Sequence, residues 1–136
     1  MASGVVLVVE DHDDTRHMVE EYLRFHEIEV VSAENGLQAL AALQEHRPCV
    51  VLLDLSMPVM DGWRFREQQQ RLSDGELAGT PVPILSAVSD VKHHMATLGA
   101  VDVIQKPIDF DRMVEIVKAF SPVPHVRTNP ADQSGA

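Results

Sequence analysis

The stretch Cys49-Val50-Val51-Leu52-Leu53-Asp54 is a short apolar run closed by a carboxylate, and the same pattern recurs along the chain. Glu10 and Asp11 close Val5-Val6-Leu7-Val8-Val9, Ser86 closes Val82-Pro83-Ile84-Leu85, and Lys106 closes Val101-Asp102-Val103-Ile104-Gln105 just before Pro107. Such runs read as strands, and the segments between them carry helical periodicity, which together is the signature of βα units around a parallel sheet. In an open parallel sheet the carboxyl ends of the strands share one edge, where ligands bind. Glu10, Asp11, Asp54, Ser86 and Lys106 are thereby predicted to meet in one place.

The second strand, Ile28 to Ala33, ends without a polar site residue. That silence fits an edge strand in the order 2-1-3-4-5, whose cleft lies between strands 1 and 3. The expectation is an α/β fold: a doubly wound five-stranded parallel sheet with five helices. The first helix is predicted to start at Asp13 as N-cap, with Thr15, Met18, Val19, Tyr22, Leu23 and His26 on one stripe. The second runs from about Asn35 to Glu45. The third, about Trp63 to Leu72, is so polar that it reads as short or partly frayed, and Ser73 to Pro81 reads as a long loop. A fourth helix carries Val91, Met95 and Leu98 and ends at Gly99, and the last spans about Asp109 to Phe120. Residues 1–121 are expected to form one domain. Residues 122–136, with three prolines and few apolar side chains, are expected to form a mobile tail.

Composition narrows the function. A net charge of −10, from 21 acidic against 11 basic residues, works against direct contact with nucleic acid or an anionic membrane. Apolar runs are far shorter than the ~20 residues of a membrane span, and the lone Cys49 suits a reducing compartment, so a cytoplasmic location is expected. The seven histidines are scattered without zinc-ligand spacing. His12 and Asp14, which extend the first acidic run, read as solvent-facing.

Three carboxylates gathered within ~4 Å repel by about 4 kcal/mol per pair at an effective dielectric near 20, so the cluster needs a cation or must hold a proton. Hard oxygen ligands with room for water suit Mg²⁺, which binds one or two carboxylates together with phosphate oxygens. Lys106 offers a point charge and Ser86 a hydroxyl for phosphoryl oxygens. Asp54 remains as the nucleophile, since a carboxylate can attack phosphorus to form an aspartyl phosphate.

These residues resemble the receiver domains of two-component response regulators, which have a flavodoxin-like fold. The matching motifs are Glu10-Asp11, the segment from Leu52-Leu53-Asp54 to Met57-Pro58 and Asp61-Gly62, then Ser86-Ala87, Gly99-Ala100 and Lys106-Pro107, spread over about Val5 to Phe120. The resemblance implies that Asp54 is the phosphoacceptor. It implies that Asp11, Asp54 and the backbone carbonyl of Ser56 bind Mg²⁺, with Glu10 acting through water. It implies that Ser86 and Lys106 hold the phosphoryl oxygens and that the Lys106-Pro107 bond is cis. The donor would be a phosphohistidine on a sensor histidine kinase or phosphotransfer protein, docked on the first helix and the loop around Ile108. The expected product is a phosphorylated acceptor with altered affinity for a protein partner, not a turnover enzyme.

The chain departs from the family at Val103, where an aromatic residue usually changes rotamer on phosphorylation, and at Ile108, where phenylalanine is common. The interval from Ser86 to Gly99 is also slightly short. A haloacid dehalogenase-type phosphatase would need a second aspartate where Ser56 stands, and a flavin binder would need a phosphate-cradling loop in place of the acids after the first strand. The alternative left open is a receiver-fold interaction module that signals independently of phosphorylation.

Overall fold

The computed structural model describes residues 4–55, 57, 59–87 and 99–121. Along the chain these form β1 (Val6–Val9), α1 (Asp13–Phe25), β2 (Val30–Ala33), α2 (Gly36–His46), β3 (Val50–Asp54), α3 (Gly62–Gln70), the short α4 (Gly75–Ala78), β4 (Pro83–Ser86), β5 (Asp102–Gln105) and α5 (Phe110–Phe120). The five strands pair in parallel in the order β2-β1-β3-β4-β5. The helix expected over Val91 to Leu98, the site residue Ser56 and the tail at 122–136 lie outside the described residues.

Alternation along each strand divides the core in two. Leu7, Val9, Val51, Leu53, Ile84 and Val103 face α2, α3 and α4, meeting Ala39, Leu43, Phe65 and Leu77. Val6, Val8, Val50, Leu52, Leu85 and Ile104 face α1 and α5, meeting Val19, Leu23, Met113, Val114 and Val117. Both faces of β1, β3 and β4 are therefore covered, which is why their runs are continuously apolar. The register sets Val9 beside both Ala33 and Leu53, Asp54 beside Leu85, and Ser86 beside Gln105. The residues that close the runs are thus held along one edge.

Three local expectations need correction. Asp13 is not the N-cap of α1. His12 occupies that position without a side-chain cap, and the Asp13 carboxylate instead accepts a hydrogen bond from Arg16 Nη2 at 2.6 Å. The buried face of α1 carries Arg16, Val19, Glu20 and Leu23, while Met18 is 55% exposed. The loop predicted over Ser73 to Pro81 contains α4, whose N-cap Asp74 accepts from the amides of Glu76 and Leu77.

Nor is α3 frayed. Two of its polar side chains, Arg66 and Gln69, are buried and bonded: Arg66 Nη1 donates to Gln69 Oε1 at 2.7 Å and Arg66 Nη2 to the Gly99 carbonyl at 3.0 Å. Gln69 Nε2 donates to the carbonyls of Leu77 at 2.9 Å and Thr80 at 3.2 Å, which fastens α3 to α4 and to the approach to β4. On the outer side of β5, the Val103 amide donates to Asp102 Oδ1 at 2.7 Å, and its carbonyl accepts from Arg112 Nη1 at 3.0 Å. The loops at the carboxyl edge are packed backbone to backbone. The Gly36 amide donates to the Met60 carbonyl at 2.8 Å, and the Gly62 amide to the Leu55 carbonyl at 3.0 Å.

Candidate functional site

The Glu10 amide donates to the Ala33 carbonyl at 3.1 Å, carrying the β1–β2 pairing one residue past the strand and drawing the Glu10 side chain under the edge of the sheet. Glu10, Asp54 and Ser86 are buried there. Lys106 reaches into the same space from the end of β5. Its Nζ lies 2.7 Å from Glu10 Oε1 and 3.7 Å from Asp54 Oδ1. The Lys106 amide donates to the Ser86 carbonyl at 3.0 Å, which ties the ends of β4 and β5 together, and the Lys106-Pro107 peptide bond is cis.

Opposing effects act on the Glu10 carboxyl. Burial pushes its pKa up, but the hydrogen bond from Lys106, the amide of His12, the charge of Lys106 and a hydrogen bond with Asp54 together bring it below the ordinary glutamate value. The lysine thus stands against both buried carboxylates, one at hydrogen-bonding distance and one slightly beyond.

Asp11 lies at the rim, and its Oδ1 is a buried oxygen with no hydrogen-bond partner among the described residues. An orphaned carboxylate oxygen beside Glu10 has a donor set of hard oxygens suited to Mg²⁺. His12 is solvent-facing, as expected, but its ring also borders the acidic cluster. Its side chain is 73% exposed, yet Nδ1 stands 3.4 Å from Glu10 Oε2 and 3.5 Å from Asp11 Oδ1. Ligand atoms of Glu10, Asp11 and His12 all lie within 4.8 Å of one another.

Glu10, Asp54 and Lys106 are therefore brought into contact, Asp11 lies beside them, and Ser86 is joined to Lys106 through the backbone. Val103 is buried against the α2–α3 side of the core. Sequence reading missed Arg16, a buried guanidinium whose Nη1 donates to the Glu10 carbonyl at 3.0 Å. The available signal was its spacing from Asp13, three residues earlier and so on the same helical face.

Residues 6–118 match the response regulator receiver domain. The chain is 39% identical over 122 residues to the transcriptional regulatory protein PrrA of Mycobacterium tuberculosis, covering 88% of this chain and 51% of PrrA. It thus spans about half the length of that relative. Among solved structures, the chemotaxis protein CheY4 of Vibrio cholerae superposes with a TM-score of 0.77 at 28% identity, covering 88% of this chain and 99% of that one. A response regulator receiver protein from Pseudomonas putida gives a TM-score of 0.78 at 26% identity, covering 88% and 98%. Strand order, sequence match and superposition agree, and the chain belongs to the response regulator receiver domain family.

Proposed function

We propose that this receiver domain accepts a phosphoryl group on Asp54 from a phosphohistidine and thereby changes its affinity for a protein partner. The observation that carries this reading is Lys106 Nζ, held between Glu10 and Asp54 at the buried sheet edge beside Asp11 Oδ1, a buried oxygen without a hydrogen-bond partner among the described residues. In the transfer, an Asp54 carboxylate oxygen bonds to phosphorus as the P–N bond breaks. The electron pair returns to the imidazole nitrogen, and the ring leaves neutral with its other nitrogen protonated. Lys106 neutralises charge on the phosphoryl oxygens, and the Ser86 hydroxyl donates to one of them.

Mg²⁺, when bound by Asp11, Asp54 and the Ser56 carbonyl with Glu10 reached through water, supplies charge neutralisation between the carboxylates and the incoming phosphoryl group. The protein is consumed stoichiometrically as an acceptor, so the step is not enzymatic turnover. A groove of about 220 Å³ lined by Thr15, Met18, Lys106, Pro107, Ile108 and Phe110 opens next to the site and supports docking of the phosphohistidine donor there. The net charge of −10 argues against direct contact between this domain and nucleic acid.

Val103 favours a second reading, an interaction module that keeps the fold and signals without phosphorylation, because a β-branched valine has no ring to swing. One experiment separates the two. With acetyl phosphate and Mg²⁺, the wild type gains one phosphoryl mass by intact mass spectrometry and Asp54→Asn gains none. Equal labelling of both proteins would refute the assignment to Asp54, and no labelling of either would favour the second reading.

A further inference from the structure

We propose that Arg16 is a positioning residue for the cation, acting through the backbone that carries Asp11; this rests on reading the site as a Mg²⁺-assisted acceptor. Arg16 sits one turn into α1 with its side chain almost wholly buried. Its fork spans separate parts of the carboxyl edge. Nη1 donates to the Glu10 carbonyl at 3.0 Å, and Nη2 donates to Asp13 Oδ1 at 2.6 Å and stands 3.9 Å from Glu34 Oε2. The Glu10 carbonyl belongs to the peptide unit joining Glu10 to Asp11. Holding that plane restricts the flanking ψ of Glu10 and φ of Asp11, and with them the direction in which the Asp11 side chain leaves the chain.

Glu34 follows β2 directly, and in the same connection the Gly36 amide donates to the Met60 carbonyl at 2.8 Å. The Arg16 fork therefore ties the Glu10 carbonyl to the first turn of α1 and stands within ion-pair range of the β2–α2 connection, which is itself bonded to the β3–α3 connection. A guanidinium is suited to this because its donors diverge in a fixed plane, whereas an ammonium is a point charge that cannot span the same acceptors.

The sign of the effect separates positioning from simple charge. A positive group beside a cation site opposes the cation, so an Arg16 acting only through charge would weaken Mg²⁺ binding, and its removal would tighten binding. If the clamp orients Asp11, removal loosens binding despite the charge relief. Residues that orient metal ligands typically change affinity by about 10- to 100-fold when replaced.

The test is calorimetric titration of the full chain with Mg²⁺ for wild type, Arg16→Met, Arg16→Lys and Asp11→Asn, together with amide NMR spectra without metal. The expected result is about tenfold or greater weakening in Arg16→Met and little recovery in Arg16→Lys, with displaced amide signals at Asp11 and His12. Should the methionine variant fail to fold, the lysine variant alone decides, because it keeps the charge and loses the fork. Wild-type or tighter affinity in a folded Arg16 variant, with Asp11→Asn still losing binding, overturns the inference while leaving the metal reading intact. Absence of Mg²⁺ binding by the wild type overturns both.

Discussion

Three helices begin with the same dipeptide logic, an Asx N-cap followed by glycine: Asn35-Gly36, Asp61-Gly62 and Asp74-Gly75. Their contacts differ sharply. A Cβ at position 62 would lie 2.5 Å from the Asp54 carbonyl oxygen and 2.8 Å from Leu55 Cα, both backbone, whereas a Cβ at position 75 meets nothing within 4 Å. Alanine at either site gains about 0.4–1 kcal/mol by restricting the unfolded chain. At position 62 the overlap must be relieved by moving backbone, and such overpacking costs about 1–3 kcal/mol. The shared gain cancels in the comparison, so Gly62→Ala is expected to be about 1–3 kcal/mol less stable than Gly75→Ala. In a domain of this size one kcal/mol moves the melting temperature by about 3–5 °C, giving a gap of about 3–15 °C in parallel thermal melts followed by circular dichroism. Gly36→Ala should fall between them, because one of its close contacts is the flexible Met60 side chain and another is the Met60 carbonyl. Melts of Gly62→Ala and Gly75→Ala within 2 °C or so would show that the Asp54–Leu55 backbone yields easily, and would refute the idea that α3 is seated hard against the end of β3.

Burial pushes the Cys49 thiol pKa up, and the residue is buried just before β3, so iodoacetamide should label the native protein far more slowly than the denatured one; rapid stoichiometric labelling of the native state would contradict this. The Arg47 hydrogen bond, aided by the Leu77 amide, holds the Asp74 carboxyl below its ordinary pKa. Its stabilisation is therefore fully present above the unfolded aspartate value and is lost as pH falls through the lower folded one. The stability gap between wild type and Asp74→Ala should accordingly narrow on acidification in denaturant titrations, and a gap constant from neutral to acid pH would exclude this contribution. Deleting Pro122 to Ala136 should leave the melting temperature within a few degrees; a fall above ~10 °C would mean that the tail packs on the core.

The sheet was legible because β1, β3 and β4 are covered on both sides and so show as unbroken apolar runs, with site residues marking where those runs stop. The helices were harder to read. In α3, Arg66 and Gln69 occupy buried positions that periodicity assigns to apolar residues. Their partners are the carbonyls of Leu77, Thr80 and Gly99, contacts that only the folded chain creates. At α1, Asp13 has the chemistry of a cap, but Arg16 on the same face takes its carboxylate and leaves His12 in the cap position. The short α4 was masked by its length, although Asp74 is an ordinary cap signal. In the site, run-end positions identified which residues gather, but not that Lys106 lies closer to Glu10 than to Asp54.

The sealing of β5 bears on how the molecule behaves in a crowd. An edge strand normally offers free amides and carbonyls on which a second chain can add as a new strand. At Val103 both outward groups are already bonded, by Asp102 Oδ1 and Arg112 Nη1, and Arg112 Nη2 also bonds Asp102 at 2.9 Å. An incoming strand would have to break this three-way arrangement and leave a guanidinium and a carboxylate to find new partners. The sheet thus ends at β5 through occupied hydrogen bonds as well as a short strand, and edge-to-edge growth into fibrils is resisted there.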